Sequence, residues 1–357
     1  MRVAIDTSRL FTGQAGTARH IRGVLRGLEA LTPPVNFFRL AWEVENLAYQ
    51  QPARSFKTLY REVIWANTVA PRRLAQEHAT IFHATGSYFV HSPKRTKQIV
   101  TLHDLAVLRN PERFRPWHRL TEKRRLERMR QADRIICISR FTAEEAMALL
   151  GLPSRQLEVI HSGCDFHENE SKPPEEKPAF DVPPEFFLFV GSLEPGKNLA
   201  LLRQTYELAA AQQQSLPPLL IVGVRREGVG QEKSPSAGWQ YLGRQSDGVL
   251  QYLYRRALAL VFPSKYEGFG LPVAEAMALG CPVLCSRVAS LPEVGGTAAC
   301  YADMTPGGYL AAMQRIDHER AYRGELVARG REQAARFSWI RYAQETVEVY
   351  RQVESGG

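Results

Sequence analysis

No apolar run in the 357 residues approaches the roughly 20 that a membrane-spanning helix needs; "ALALVF" at 257–262 is among the longest. The N-terminal "MRVAIDTS" carries one arginine and no apolar h-region, so it reads as a first buried strand and not as a secretory leader. Cysteine is sparse, odd in number and irregularly spaced: Cys137, Cys164, Cys281, Cys285 and Cys300. That set offers no disulfide framework and no His/Cys cluster with metal-site spacing. It reads as small buried thiols in a reducing cytoplasm. There is no internal repeat, no long low-complexity tract and no DxD-type acidic pair.

Hydrophobic residues make up 44% and charged residues 23%, a balance that supports soluble cores. At roughly 100–200 residues per domain, the length suggests two domains. The formal net charge of +9 is unevenly spread. Residues 1–165 hold 26 Lys and Arg against 15 Asp and Glu, a net +11, whereas residues 166–357 carry a net −2. The first half is therefore expected to face something anionic. Nucleic acid, a membrane surface and a phosphate-bearing acceptor all fit that requirement.

Short β-rich apolar runs alternate with helical patterns along the chain. In the first half they are "RVAID" (2–6), "VNFFRL" (35–40), "TIFHAT" (80–85), "QIVTLHD" (98–104), "RIICIS" (134–139) and "LEVIHSG" (157–163). In the second half they are "FFLFVGS" (186–192), "PLLIVGV" (218–224), "WQYLG" (239–243), "ALALVFPS" (257–264) and "CPVLCS" (281–286). Several are continuously apolar, as parallel strands covered on both faces must be. After Arg140, Thr142 with Glu145 reads as a capping box opening a helix. Between the halves lies "FHENESKPPEEKPAFDVPP" (166–184), with five prolines and seven charges; it reads as a linker. The pattern is βαβ alternation in two successive domains. It predicts two doubly wound sheets with ligands held at the carboxyl ends of their strands.

The densest chemistry is in "EGFGLPVAEAMALGCPV" (267–283). It follows a strand that ends at Ser264. Pro272 suits the first helical position and Gly280 the position just past the helix end. Glu275 is then expected in the first turn, with the amides around Phe269, Gly270 and Leu271 at an open helix N-terminus, where phosphate is favoured. Glu267 can face the same ligand from the loop. Taken alone, Glu275 is equally an ordinary first-turn glutamate favoured by the helix dipole.

This string resembles the EX7E motif of retaining glycosyltransferases of family 4, which have the GT-B fold. Further segments extend the resemblance over most of the chain: "GQAGTARHI" (13–21), "TLHDL" (101–105), "ICISRFTAEE" (136–145), "VIHSGCD" (159–165) and "FVGSLEPGKNLALL" (189–202). The resemblance implies an α/β GT-B protein of two doubly wound Rossmann-like domains facing a central cleft. Residues 1–165 would form the acceptor-side domain and 185–338 the nucleotide-sugar domain. A last helix, 339–357, would cross back to the first. It implies a catalytic set of His103, Glu267 and Lys197. His103 and Glu267 would lie at the donor sugar and Lys197 at the diphosphate. Gly16, Ser192, Phe269, Gly270, Leu271 and Glu275 would bind the donor, Glu275 through the ribose hydroxyls.

Two positions depart from the family. Ser192 and Gly196 stand where relatives often carry arginine, so phosphate charge would rest on Lys197 and the helix amides, with Arg225, Arg226 and Arg244 as candidates to assist. Ser162 stands where asparagine is frequent. The implied donor is a GDP-, UDP- or dTDP-linked sugar, with GDP-mannose ahead. No cofactor and no metal are expected. The acceptor would be a glycan or a lipid-linked saccharide of bacterial polysaccharide synthesis, not nucleic acid. The location would be the cytoplasm, with peripheral contact at an anionic membrane through "ERFRPWHRLTEKRRLERMRQADR" (112–134), Arg72 and Arg73. A GT-B-like isomerase and a nucleotide-sugar-binding scaffold without turnover are the competing readings.

Overall fold

In the computed structural model the apolar runs form two six-stranded sheets in which every strand pair is parallel. The structure describes residues 1–11, 15–42, 60–86, 90, 95–114, 116–164, 166, 176–224 and 238–356. The chain divides into two compact units, Met1–Gly163 with Ser338–Gly357, and Cys164–Phe337. Phe166 and residues 176–184 fall within the second unit; most of the remaining proline-rich stretch, 167–175, lies outside the described residues.

In the first unit the strands are β1 (Val3–Asp6), β2 (Phe37–Leu40), β3 (Ile81–Ala84), β4 (Lys97–Leu102), β5 (Arg134–Cys137) and β6 (Leu157–Val159). Their order across the sheet is β2-β1-β3-β4-β5-β6. Successive strand residues point to opposite faces, and both faces are covered. Val3, Ile5, Ile81, Ile99 and Ile136 pack with Ile21, Val24 and the C-terminal residues Trp339 to Val353. Ala4, Phe82, Val100 and Ile135 face the other way, toward Ala70, Leu74, Leu126 and Met129. This two-sided burial is why these strands carry apolar residues without alternation.

The helix Trp339–Glu354 belongs to this unit. It lies on the helix Ala15–Glu29, and glycine permits the approach: a Cβ on Gly23 would fall 2.0 Å from the Trp339 ring. Trp339 is buried, a contribution on the order of 2–3 kcal/mol for an aromatic of this size. The helix is also fastened by polar bonds. His83 bridges Tyr350 Oη (2.6 Å) and Thr101 Oγ1 (2.8 Å), so β3, β4 and the C-terminal helix share one buried network.

In the second unit the strands are β7 (Phe187–Val190), β8 (Leu219–Val222), β9 (Trp239–Gly243), β10 (Ala259–Phe262), β11 (Val283–Cys285) and β12 (Cys300–Tyr301). Their order, β12-β11-β10-β7-β8-β9, puts β7 beside β10. The chain runs outward from β7 in one direction and from β10 in the other, so the switch point lies between these two strands.

Three local expectations differ from the structure. The helix Arg140–Leu150 is capped by Ser139, whose Oγ accepts from the Thr142 amide at 3.1 Å. Thr142 is inside the first turn, and buried Glu145 pairs with Arg109 instead of closing a capping box. The helix of the EX7E stretch spans Leu271–Ala278, so Glu275 lies at the start of its second turn, not in its first. Strand β12, only two residues long, has no counterpart among the apolar runs of the sequence. All five cysteines are free and buried, and burial pushes the Cys137 and Cys281 thiols up to about 12.

Candidate functional site

The second unit brings Lys197 and Glu267 together. Lys197 ends the turn Pro195–Lys197 that follows β7, and Glu267 lies in the loop that follows β10. Both loops therefore leave the carboxyl edge at the switch point. Lys265 N donates to Gly196 O across them at 2.9 Å. Lys197 Nζ forms an ion pair with Glu267 Oε1, with both side chains mostly buried at 16% and 13% exposure. The ammonium also lies 5.1 Å from the centroid of the Phe262 ring at the end of β10, within cation–π range.

The loop after Glu267 is braced from one side. Ser290 Oγ is 2.9 Å from both Glu267 O and Phe269 O. Gly270 holds φ +101°, and a Cβ there would meet Leu291 Cδ2 at 2.7 Å. Only glycine fits that position, and it turns the chain into the helix whose first amides open onto the loop. The Phe269 ring is buried edge-on against Phe337, so a role for Phe269 in donor binding falls to its backbone. Glu275 is buried and accepts from Tyr254 Oη at 3.3 Å. Ser192 and Leu271 are half-buried near the ends of the same two connections.

Arg244 is exposed just after β9, two strands from β7 and so about 10 Å from it at ordinary strand spacing. Arg225 and Arg226 lie outside the described residues.

The first unit holds His103 at the carboxyl end of β4. Its Nε2 lies 2.7 Å from Thr85 O, and Thr85 Oγ1 in turn donates to Asp6 O at 2.6 Å. Burial pushes His103 down to about 4; the Thr85 carbonyl pulls the other way and the Arg9 charge adds to the depression. His103 is thus neutral across the physiological range. Beneath it lies His20, which sequence reasoning did not single out. Its ring stands edge-on to His103, with centroids 4.7 Å apart. Its Nδ1 is 3.1 Å from Ser162 Oγ, and its Nε2 is buried without a hydrogen-bond partner. Burial, then His103 and His83, hold its pKa well below the usual histidine range. Ser162, which departs from the family pattern, therefore supports this histidine pair. Gly16 lies in the first turn of the helix Ala15–Glu29, with open space where a Cβ would stand. Gly13, Gln14 and Asp165 of the matching segments lie outside the described residues.

Among the described residues no group of three His, Cys, Asp or Glu is placed to hold a metal ion. No helix among them is long and apolar enough to cross a membrane.

Residues 15–168 match the family described as Glycosyltransferase Family 4, and residues 172–317 match Glycosyl transferases group 1. The chain is 33% identical over 285 residues to the O-antigen chain mannosyltransferase B of Escherichia coli, covering 76% of this chain and 74% of the relative. It is 31% identical to the serotype-specific mannosyltransferase WbdA of Escherichia coli over 69% of this chain and 32% of that protein, spanning about a third of its length. Among solved structures, sucrose-phosphate synthase from Thermosynechococcus elongatus matches at a TM-score of 0.69 and 22% identity, covering all of both chains. Anabaena HepE in complex with UDP and glucose matches at a TM-score of 0.68 and 15% identity, covering 99% of this chain and 100% of that one. These likenesses show the two-domain GT-B fold. With its two parallel sheets, its family matches and its 33% identity to a mannosyltransferase, the chain belongs to glycosyltransferase family 4.

Proposed function

We propose that the protein transfers a hexosyl group, mannosyl before rhamnosyl, from a nucleotide-diphosphate sugar to a glycan or lipid-linked acceptor in polysaccharide synthesis, with retention of anomeric configuration. The observation that carries this reading is the Lys197–Glu267 pair at the switch point of the second sheet. A diphosphate leaving group needs positive charge and aligned amides where its negative charge develops. Lys197 and the amides ahead of the helix Leu271–Ala278 supply them, so the reaction is written without a metal. Glu267 takes the sugar hydroxyls, Glu275 the ribose, and His103 the sugar face near the reacting carbon. The mannosyltransferase relatives favour a mannosyl group, and the UDP bound by HepE keeps UDP-sugars in view beside GDP-mannose.

In the transfer, the bond between the anomeric carbon and the diphosphate oxygen breaks, and its electron pair stays on the diphosphate. The acceptor hydroxyl oxygen bonds to the same carbon from the same face, and its proton passes to the leaving phosphate oxygen. Incubation with GDP-mannose, UDP-glucose and dTDP-rhamnose, each with a mannosylated lipid-linked acceptor, tests the reading. Nucleoside diphosphate release with a product that keeps the anomeric configuration of its donor, read by proton NMR, supports it. An inverted product removes the retaining mechanism; sugar-nucleotide isomerisation without acceptor, or binding without turnover, removes the transferase reading.

The acceptor side is proposed to approach an anionic membrane at the cytoplasmic face. Arg119, Lys123, Arg124, Arg128 and Arg130 on and after the helix Pro116–Arg128 are exposed, as are Arg72 and Arg73. Leu126 and Met129 anchor that helix to the core, and Arg125 is buried in an ion pair with Glu122. Each exposed basic side chain near an anionic surface is worth about 1 kcal/mol, within a Debye length of roughly 8–10 Å. Co-sedimentation with phosphatidylglycerol vesicles, lost at high salt, is the expected result. Indifference to such vesicles at low salt removes this part.

A further inference from the structure

The pair at the switch point is electrically complete before any donor arrives. Within 191–198 Lys197 is the one cation, because Ser192 and Gly196 contribute no charge. That cation is already satisfied by Glu267, and the pair is largely withdrawn from water. Both loops are fixed. Lys265 N to Gly196 O ties them together, and Ser290 holds the Glu267 backbone. A diphosphate approaching Lys197 therefore meets a carboxylate in contact with the same ammonium. In a partly buried setting, like charges within a few ångströms repel strongly and an ion has little water to screen it.

We propose that Glu267 is the resident counter-ion of Lys197, and that the donor diphosphate displaces it. On this account, which rests on the diphosphate reading of Lys197, binding exchanges one anionic partner of the ammonium for another. The exchange frees the Glu267 carboxylate for the sugar hydroxyls only when a diphosphate is present. Glu267 thus acts against nucleoside diphosphate affinity while it serves transfer. A donor must bring both halves, a diphosphate to take the lysine and a sugar to receive the glutamate. A bare nucleoside brings neither.

The opposite role is physically distinct. If Glu267 instead orients Lys197 toward the phosphate and stays paired in the complex, removing its charge loosens the lysine and weakens the diphosphate. Calorimetry with GDP and UDP, and with guanosine and uridine as phosphate-free controls, separates the two. Wild type, Glu267→Gln and Lys197→Ala are compared, each shown folded by circular dichroism. The expected result is that Glu267→Gln binds the accepted nucleoside diphosphate about tenfold tighter, with nucleoside affinity unchanged and sugar transfer reduced. Unchanged or weaker diphosphate binding in Glu267→Gln, with binding weakened in Lys197→Ala, overturns the exchange and leaves the diphosphate reading standing. Unaltered binding in Lys197→Ala, or no binding of either diphosphate by wild type, overturns the diphosphate reading and the exchange together.

Discussion

His103 Nε2 lies 2.7 Å from the carbonyl oxygen of Thr85. A carbonyl only accepts, so the proton is on Nε2, and Nδ1 of the neutral ring is the acceptor. With its pKa down at about 4, the ring is a neutral dipole, and in its proposed role it would meet the sugar as a dipole and not as a cation. His103→Ala is expected to lower kcat on the order of a hundredfold while nucleoside diphosphate affinity stays within twofold. Turnover close to wild type would refute the role.

The same burial predicts acid sensitivity of the first unit. His83 is wholly buried and its pKa is pushed down to about 3 by desolvation, with His103 adding to the shift. The unfolded chain binds its proton near pH 6.5 and the folded chain does not, so stability is full above that value and falls as pH drops. Between pH 7 and pH 5 the loss is about 2 kcal/mol for a histidine of this kind. Protection factors of amides in β3, β4 and the helix Trp339–Glu354, corrected for the intrinsic pH dependence of exchange, should fall over that interval. Equal protection at both pH values would contradict the account.

Glu275 and Tyr254 are predicted to act as a unit. Glu275→Ala should weaken nucleotide binding by about 2–4 kcal/mol through lost charge-assisted bonds. Tyr254→Phe removes only the hydroxyl that orients the carboxylate, and should cost about 1 kcal/mol. Calorimetry measures both, and unchanged affinity in Glu275→Ala would remove the ribose assignment.

Gly270 and Gly16 should respond oppositely to alanine. At Gly270 the Cβ meets Leu291 at a φ of +101°, so Gly270→Ala should lower the melting temperature, with a cost on the order of 1–3 kcal/mol. At Gly16 the space is open, so Gly16→Ala should fold with unchanged melting temperature and lose turnover. A tolerated Gly270→Ala would undo the argument for the loop.

Most strands were legible because parallel strands buried on both faces read as continuous apolar runs. "WQYLG" matches β9 residue for residue. Strand β12 holds two residues, Cys300 and Tyr301, too few for any pattern. The cap of Arg140–Leu150 is not legible in the sequence, because Ser139 and Thr142 both carry hydroxyls and lie in hydrogen-bond contact at 2.9 Å. Which one caps depends on backbone conformation. Lys197 and Glu267 were each legible through their motifs, but their pairing spans 70 residues and follows only from β7 lying beside β10. His20 had no signature, because its partners His103, Ser162, Trp339 and Tyr342 come from distant segments.

The central claim is that Lys197 carries the leaving diphosphate of a nucleotide sugar. The direct measurement is steady-state nucleoside diphosphate release from GDP-mannose with a mannosylated lipid-linked acceptor, by wild type and by Lys197→Ala. Removing a charge aimed at the transition state costs on the order of a hundredfold to a thousandfold. The account predicts a drop in kcat/KM of that size in a variant whose circular dichroism matches wild type. A folded Lys197→Ala that turns over GDP-mannose at the wild-type rate would contradict it.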